Sequence, residues 1–167
     1  MPLLALMVYW AVRQAQDFGY RGMIGGLNFG IHEFGHVLCA PFGTFIEVAG
    51  GSGLQLLAPV ITLGLFLRQR DFFGCAFAFV WLGTNWFEVA VYLGDARSQS
   101  LPLVGLGAGE PLHDWAYLLG KLNLLRQDQA LANLLRVFGG LSYATGLCFG
   151  AWLLLGMFRQ QWRGRAQ

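Results

Sequence analysis

GMIGGLNFGIHEFGHVLCA, residues 22–40, is an apolar run whose only charged or imidazole side chains are His32, Glu33 and His36. A helix of that length rises about 28 Å, close to the ~30 Å of a bilayer's hydrocarbon core. Read as a membrane helix, it carries three groups that hydrocarbon disfavours, each charge costing at least ~2.5 kcal/mol at the helix centre. Side chains so expensive to place point to chemistry rather than packing.

The flanks repeat the pattern. Arg21 precedes the run and Pro41 stops it. Residues 2–12 form another apolar run, ended by Arg13, Asp17 and Arg21; 54–67 are closed by Arg68, Arg70 and Asp71; 72–94 and 137–158 complete the set. The run 54–67 reaches only about 21 Å as a helix, short of a bilayer. The segment before it, PFGTFIEVAGGSG (41–53), therefore reads as a re-entrant hairpin, with FIEV as strand and GGSG as flexible turn. The expected fold is an all-α integral membrane protein. It is one domain over residues 1–167, a bundle of four to five transmembrane helices with a re-entrant hairpin-like loop after the HExxH helix.

Composition agrees. Of 167 residues 56% are hydrophobic and 12% charged, about half the charge of a soluble domain. That excludes a disordered chain and an ordinary cytosolic globule. A net charge of +2, with no basic cluster interleaved with aromatics, argues against a nucleic-acid partner. Cys39, Cys75 and Cys148 lie far apart in apolar runs and form no disulfide or CxxC pattern. Strict alternation of five spans puts Arg13, Arg21, Arg68, Arg70, Arg159, Arg163 and Arg165 on one side, seven of the eleven Lys and Arg residues. The positive-inside rule makes that side, and the C-terminus, cytoplasmic. The opening MPLLALMVYWAV lacks a basic n-region and a cleavage site, and reads as a retained, short first span.

Between the last two spans, LPLVGLGAGEP (101–111) reads as a Pro- and Gly-rich break and HDWAYLLGKLNLLR (113–126) as a short amphipathic helix with Asp114 in the N-cap position. Trp115 and Tyr117 suit a membrane interface. Asp128 would cap the helix leading into the last span. Gly26 with Gly30, and Gly146 with Gly150, have the spacing that lets helices approach closely.

The pattern HEFGH at 32–36 carries the chemistry. Histidines four apart project from one helix face and can ligate one Zn²⁺, with the adjacent Glu33 placed as general base for an attacking water. For this composition HExxH arises by chance about once in a thousand such chains. A catalytic zinc needs a third protein ligand and an open position. Asn85, Glu88, Tyr92 and Asp95 are spaced three, four and three apart and share an arc of a helix, a polar seam facing the bundle interior. Glu88 and Asp95 are candidate ligands, Asp95 having the alternative of pairing with Arg97. His113 and Asp114 are further candidates, for ligation, for orienting a ligand, or for stabilising a tetrahedral intermediate.

These residues resemble the site-2 protease family of intramembrane zinc metalloproteases. The resemblance rests on HEFGH inside a membrane span, the Gly-rich segment 41–53, LLAPVITLG at 56–64, and NWFEVAVYLGD at 85–95. In that family an Asp near the end of a later helix is the third zinc ligand. The resemblance therefore implies His32, His36 and Asp95 as ligands, Glu33 as base, and a membrane-anchored protein segment as substrate, bound as an extended strand beside loop 41–53. No proline precedes Asp95, its Gly stands before it instead of after, and the HDW segment has no assigned counterpart. The competing expectations are a non-proteolytic metal-binding membrane module or partner subunit, and a structural membrane protein in which HEFGH is incidental.

Overall fold

The computed structural model describes residues 2–103 and 112–165, with side chains as far as Gln160. The Pro- and Gly-rich break therefore lies outside the described residues from 104 to 111, and so do the side chains of Arg163 and Arg165. The described chain is helical, with no strand among those residues: α1 (Pro2–Gln16), α2 (Gly25–Cys39), α3 (Thr44–Gln69), α4 (Phe72–Gly94), α5 (Asp114–Lys121) and α6 (Asp128–Arg165).

Among the described residues three helices are long and apolar enough to cross a membrane: α3, α4 and the stretch Leu125–Gln160 that includes most of α6. At 1.5 Å per residue α3 reaches about 39 Å and α4 about 34 Å. With 15 residues each, α1 and α2 reach about 22 Å, less than the bilayer core. Phe34, Val37, Leu57, Ile61, Val137 and Trp152 are all exposed, and such an apolar outer surface suits lipid.

The principal correction concerns residues 41–53. No hairpin forms there. After α2, a 3-10 turn over Ala40–Phe42 carries Pro41 at its start, and Gly43, with φ of 91°, leads into α3. FIEV and GGSG then lie inside the continuous 26-residue α3, so the apparently short run 54–67 is only the C-terminal part of a full-length helix. GGSG is a contact surface instead of a turn. A Cβ on Gly50 would lie 2.6 Å from the Cys39 side chain and from the Gly35 carbonyl, and one on Gly35 would overlap the Gly50 carbonyl. Small residues at a crossing let two backbones approach, and α2 and α3 pack side by side here. Pro59 sits within α3 and is buried.

The sequence breaks after α3 where its charges say it should. Arg70 adopts the left-handed conformation (φ 59°) and its N–H closes the helix on Leu67 and Phe66. Asp71 then accepts the Gly74 N–H at 2.8 Å as N-cap of α4. Apolar almost all round, α4 is the central element, packed against α3, α6 and α1. Gly146 brings α6 onto it, since a Cβ there would meet the Ala76 carbonyl at 2.6 Å. The matching expectation for Gly26 and Gly30 is not met: both face open space. Met7 and Trp10 of α1 join Ala76, Val80, Phe87 and Tyr143 in the main apolar cluster.

One capping assignment changes and another holds. His113, not Asp114, is the N-cap of α5: its Nδ1 accepts the Ala116 N–H at 3.2 Å. Asp128 opens α6, accepts its neighbour's Gln129 N–H, and is gripped by Arg97 through Nε (2.8 Å) and Nη2 (2.7 Å). Arg97 therefore pairs with Asp128 across the bundle end instead of with Asp95.

Candidate metal centre

His32 and His36 lie one turn apart on α2 and project toward α3 and α5, as the HExxH spacing requires. The third partner comes from the far end of the sequence. Asp114, the first residue of α5, sets Oδ2 3.0 Å from His32 Nε2 and 3.2 Å from His36 Nε2, and the two Nε2 atoms are 3.1 Å apart. Together the three residues can hold a metal ion.

The distal ring nitrogens decide what this triangle is. His32 Nδ1 is 3.1 Å from Gln55 Oε1, and His36 Nδ1 is 2.9 Å from the Glu47 carbonyl. An amide oxygen and a backbone carbonyl only accept, so both Nδ1 atoms carry a proton, and each imidazole, when neutral, turns its lone pair inward. Two lone pairs and a carboxylate oxygen would then converge on one point. Acceptors packed this closely repel unless a cation or a shared proton lies between them. Ligands about 2.0 Å from a tetrahedral zinc stand about 3.3 Å apart, so the triangle is within a few tenths of an ångström of a zinc ligand set.

Space for the ion comes from α3. A Cβ on Gly51 would lie 2.5 Å from His36 Nε2 and 2.8 Å from His32 Nε2, so only glycine leaves the nitrogens uncovered. That position is set by the same Gly-rich contact that joins α2 to α3.

Asp114 is fixed from two sides. Its backbone N–H donates to the Tyr92 hydroxyl of α4 at 3.1 Å, and the Trp115 indole N–H donates to Ser52 Oγ of α3 at 3.1 Å. Trp115 thus locks α5 to the metal-facing helix as well as offering an aromatic face.

Asp95 is not in the ligand group. Its Oδ1 accepts from the Ser98 hydroxyl (2.6 Å), the Ser100 hydroxyl (2.7 Å) and the Ser100 N–H (3.0 Å), and its Oδ2 from the Leu101 N–H (3.0 Å). Burial raises this carboxyl, and those four bonds more than reverse the effect, holding it well below the usual range. His113 Nε2 stands 3.4 Å from Asp95 Oδ2. The His113 ring, expected from sequence to be catalytic, is buried against Tyr92, and its Nδ1 caps α5, outside the His32–His36–Asp114 group. Asp95 and His113 together fasten the segment after α4 to the start of α5.

The polar seam of α4 divides accordingly. Asn85 is buried and donates to the Trp81 carbonyl of its own helix at 2.8 Å. Glu88 accepts from Asn28 Nδ2 (3.0 Å) and Gln55 Nε2 (2.9 Å), one bond to each oxygen. It stands behind His32, with Gln55 between them. An open cleft adjoins the site, lined by Glu33, His32, Glu88, Tyr92, Arg21 and the non-helical Leu101–Leu103 among others. Glu33 therefore shares a cavity with His32. Gln55, Asn28 and Gly51 were not singled out by the sequence, although two amides inside apolar runs are the kind of costly residue that marks a site.

Comparison with protein-family models, with curated proteins and with solved structures finds no match to this chain.

Proposed function

We propose that this chain is a membrane-embedded zinc peptidase of the site-2 protease kind, acting on membrane-anchored protein segments. The observation that carries the proposal is the inward-facing triangle of His32 Nε2, His36 Nε2 and Asp114 Oδ2, with an acceptor oxygen set against each Nδ1. Two nitrogens, one carboxylate oxygen and an open side match the donor set of a hydrolytic zinc centre. Asp114 takes the place that the family resemblance gave to Asp95.

A zinc ion bound there supplies a Lewis acid and a water acidic near neutral pH. The protein's own groups do the rest. Glu33, one residue from His32 and open to the cleft, takes the proton of the attacking water and delivers it to the leaving amine, a role worth about 10²–10⁴ in rate. Tyr92 accepts the Asp114 N–H on its hydroxyl oxygen, which leaves its O–H proton free to donate into the cleft, toward the oxygen of the tetrahedral intermediate. Leu101, Pro102 and Leu103 give the cleft an apolar wall suited to an unwound membrane segment. Edge pairing with 41–53 has no part in the scheme, because that segment is helical.

The same reading makes the chain a multi-pass protein with its C-terminus in the cytoplasm. It rests on three membrane-length helices and the asymmetric arginines, with α1 and α2 completing a bundle of four to five membrane-inserted helices. The test is zinc analysis of detergent-purified protein, joined to cleavage of a membrane-anchored reporter by wild type and Glu33→Gln. One zinc per chain and cleavage lost in Glu33→Gln support the proposal. A metal-free protein overturns it; bound zinc with cleavage unchanged by Glu33→Gln leaves a metal-binding module without this mechanism.

A further inference from the structure

Behind His32 runs a chain of side-chain hydrogen bonds that crosses α2, α3 and α4. Trp81 Nε1 donates to Asn28 Oδ1 at 2.8 Å; Asn28 Nδ2 donates to Glu88 Oε1 at 3.0 Å; Gln55 Nε2 donates to Glu88 Oε2 at 2.9 Å; and Gln55 Oε1 faces His32 Nδ1 at 3.1 Å. Asn28 is fully buried and Gln55 nearly so, which makes a reversed or broken bond costly.

The chain has one sense. An indole N–H can only donate, so it fixes Asn28 with its oxygen toward Trp81 and its NH₂ toward Glu88. When ionised, a carboxylate can only accept, so Glu88 in that form draws the NH₂ of Gln55 to itself and turns the Gln55 oxygen toward His32. That oxygen can only accept, so it holds a proton on His32 Nδ1. A neutral His32 then keeps its lone pair on Nε2, the atom that faces Asp114 and His36. His36 obtains the same result more simply, from the Glu47 carbonyl.

We propose that Glu88 is a positioning residue that sets the ligating tautomer of His32 by orienting the amide of Gln55. This deepens the zinc-site reading and rests on it for its purpose, though the tautomer itself can be read without metal. Orienting partners behind a ligating histidine are worth about 10–100-fold in metal affinity.

The chain also dictates its own test. In Glu88→Gln, Asn28 still presents NH₂, so the new amide must turn its oxygen to Asn28 and its NH₂ to Gln55. Gln55 is forced to flip, its NH₂ faces His32 Nδ1, and the histidine proton moves to Nε2. Adding Gln55→Glu restores an acceptor there: a carboxylate at 55 takes one bond from the amide at 88 and one from His32 Nδ1–H. The double variant exchanges the two residues, with no change in total charge or atom types.

Zinc affinity, measured by chelator competition in detergent, is expected to fall about 10–100-fold in Glu88→Gln and to return to within a few-fold of wild type in the double variant. In metal-free protein carrying Asp114→Ala, which removes the carboxylate facing Nε2, ¹⁵N NMR of labelled histidines at mildly alkaline pH should show neutral His32 protonated on Nδ1, on Nε2 when Glu88→Gln is added, and on Nδ1 again when Gln55→Glu is added as well. Neutral His32 protonated on Nε2 in the Asp114→Ala protein overturns the proposal, as does wild-type zinc affinity in Glu88→Gln or loss without recovery in the double variant. If the Asp114→Ala protein shows the expected tautomer and the wild type binds no zinc, the zinc reading fails and the role of Glu88 stands.

Discussion

His32 Nε2 and Asp114 Oδ2 lie 3.0 Å apart although 82 residues separate them in the chain. The contact joins the HExxH helix to the first turn of a short helix whose position is fixed by Tyr92 and Trp115. Removing either partner should therefore act on the metal site before it acts on the fold. His32→Ala, His36→Ala and Asp114→Ala are each expected to lower zinc affinity by more than the ~10–100-fold of an orienting residue. Asp95→Asn should retain wild-type affinity. Metal content after dialysis checks all four, and loss of zinc in Asp95→Asn with retention in Asp114→Ala would reverse the ligand assignment.

Gly51 is the position where one methyl group should do the most damage. Gly51→Ala would place its Cβ within contact distance of both metal-facing nitrogens, and zinc occupancy is expected to fall while helix content is kept. Gly53→Ala, two residues on, meets open space. It should bind zinc normally and gain up to about 1 kcal/mol of stability from the better helix former. Thermal melts with metal analysis of the two variants separate a blocked site from a disturbed helix.

Tyr92→Phe removes the acceptor for the Asp114 N–H and the proton directed into the cleft. If the hydroxyl stabilises the developing oxyanion, kcat should fall on the order of 10²-fold or more, with KM little changed. If the residue serves only to hold Asp114, zinc affinity should fall instead. Steady-state kinetics on zinc-saturated protein reads the first outcome and chelator competition the second.

The clamp at Asp95 predicts a pH dependence with a definite sign. Its carboxyl is held below the unfolded value of about 3.9 by the Ser98 and Ser100 hydroxyls and the Ser100 and Leu101 N–H groups. The stability it confers is therefore complete above about pH 4 and is lost as the pH falls through its lower folded value. Asp95→Asn should melt below wild type at pH 7, and the difference should shrink toward zero as the medium is acidified below about pH 4. A difference that stays constant with pH would exclude the ionised clamp.

Much of this protein was written locally. Scarce charge marked a chain with helices long and apolar enough to cross a membrane, Arg70 and Asp71 marked the turn between α3 and α4, and Pro41 marked the end of α2, because backbone caps and hydrocarbon length act over a few residues. HEFGH placed two nitrogens on one helix face for the same reason: the helical repeat alone fixes positions four apart. HDWAYLLGKL also announced its short helix.

Tertiary structure decided the rest. GGSG has the composition of a turn, and only its fit against Gly35 makes it a helix surface; a glycine's meaning depends on what approaches it. Asp95 and Asp114 were both eligible as third ligand by type and by position along the chain. The choice between them rests on which carboxylate was left free, since Asp95 is consumed by four local hydrogen bonds while Asp114 is carried to the histidines by Tyr92 and Trp115. The sequence by itself determined an apolar helix bearing two histidines and a glutamate; which carboxylate joins the histidines, and which acceptor meets each imidazole, were set by packing among α3, α4 and α5, because hydrogen-bond partners far apart in sequence become neighbours only in the folded bundle.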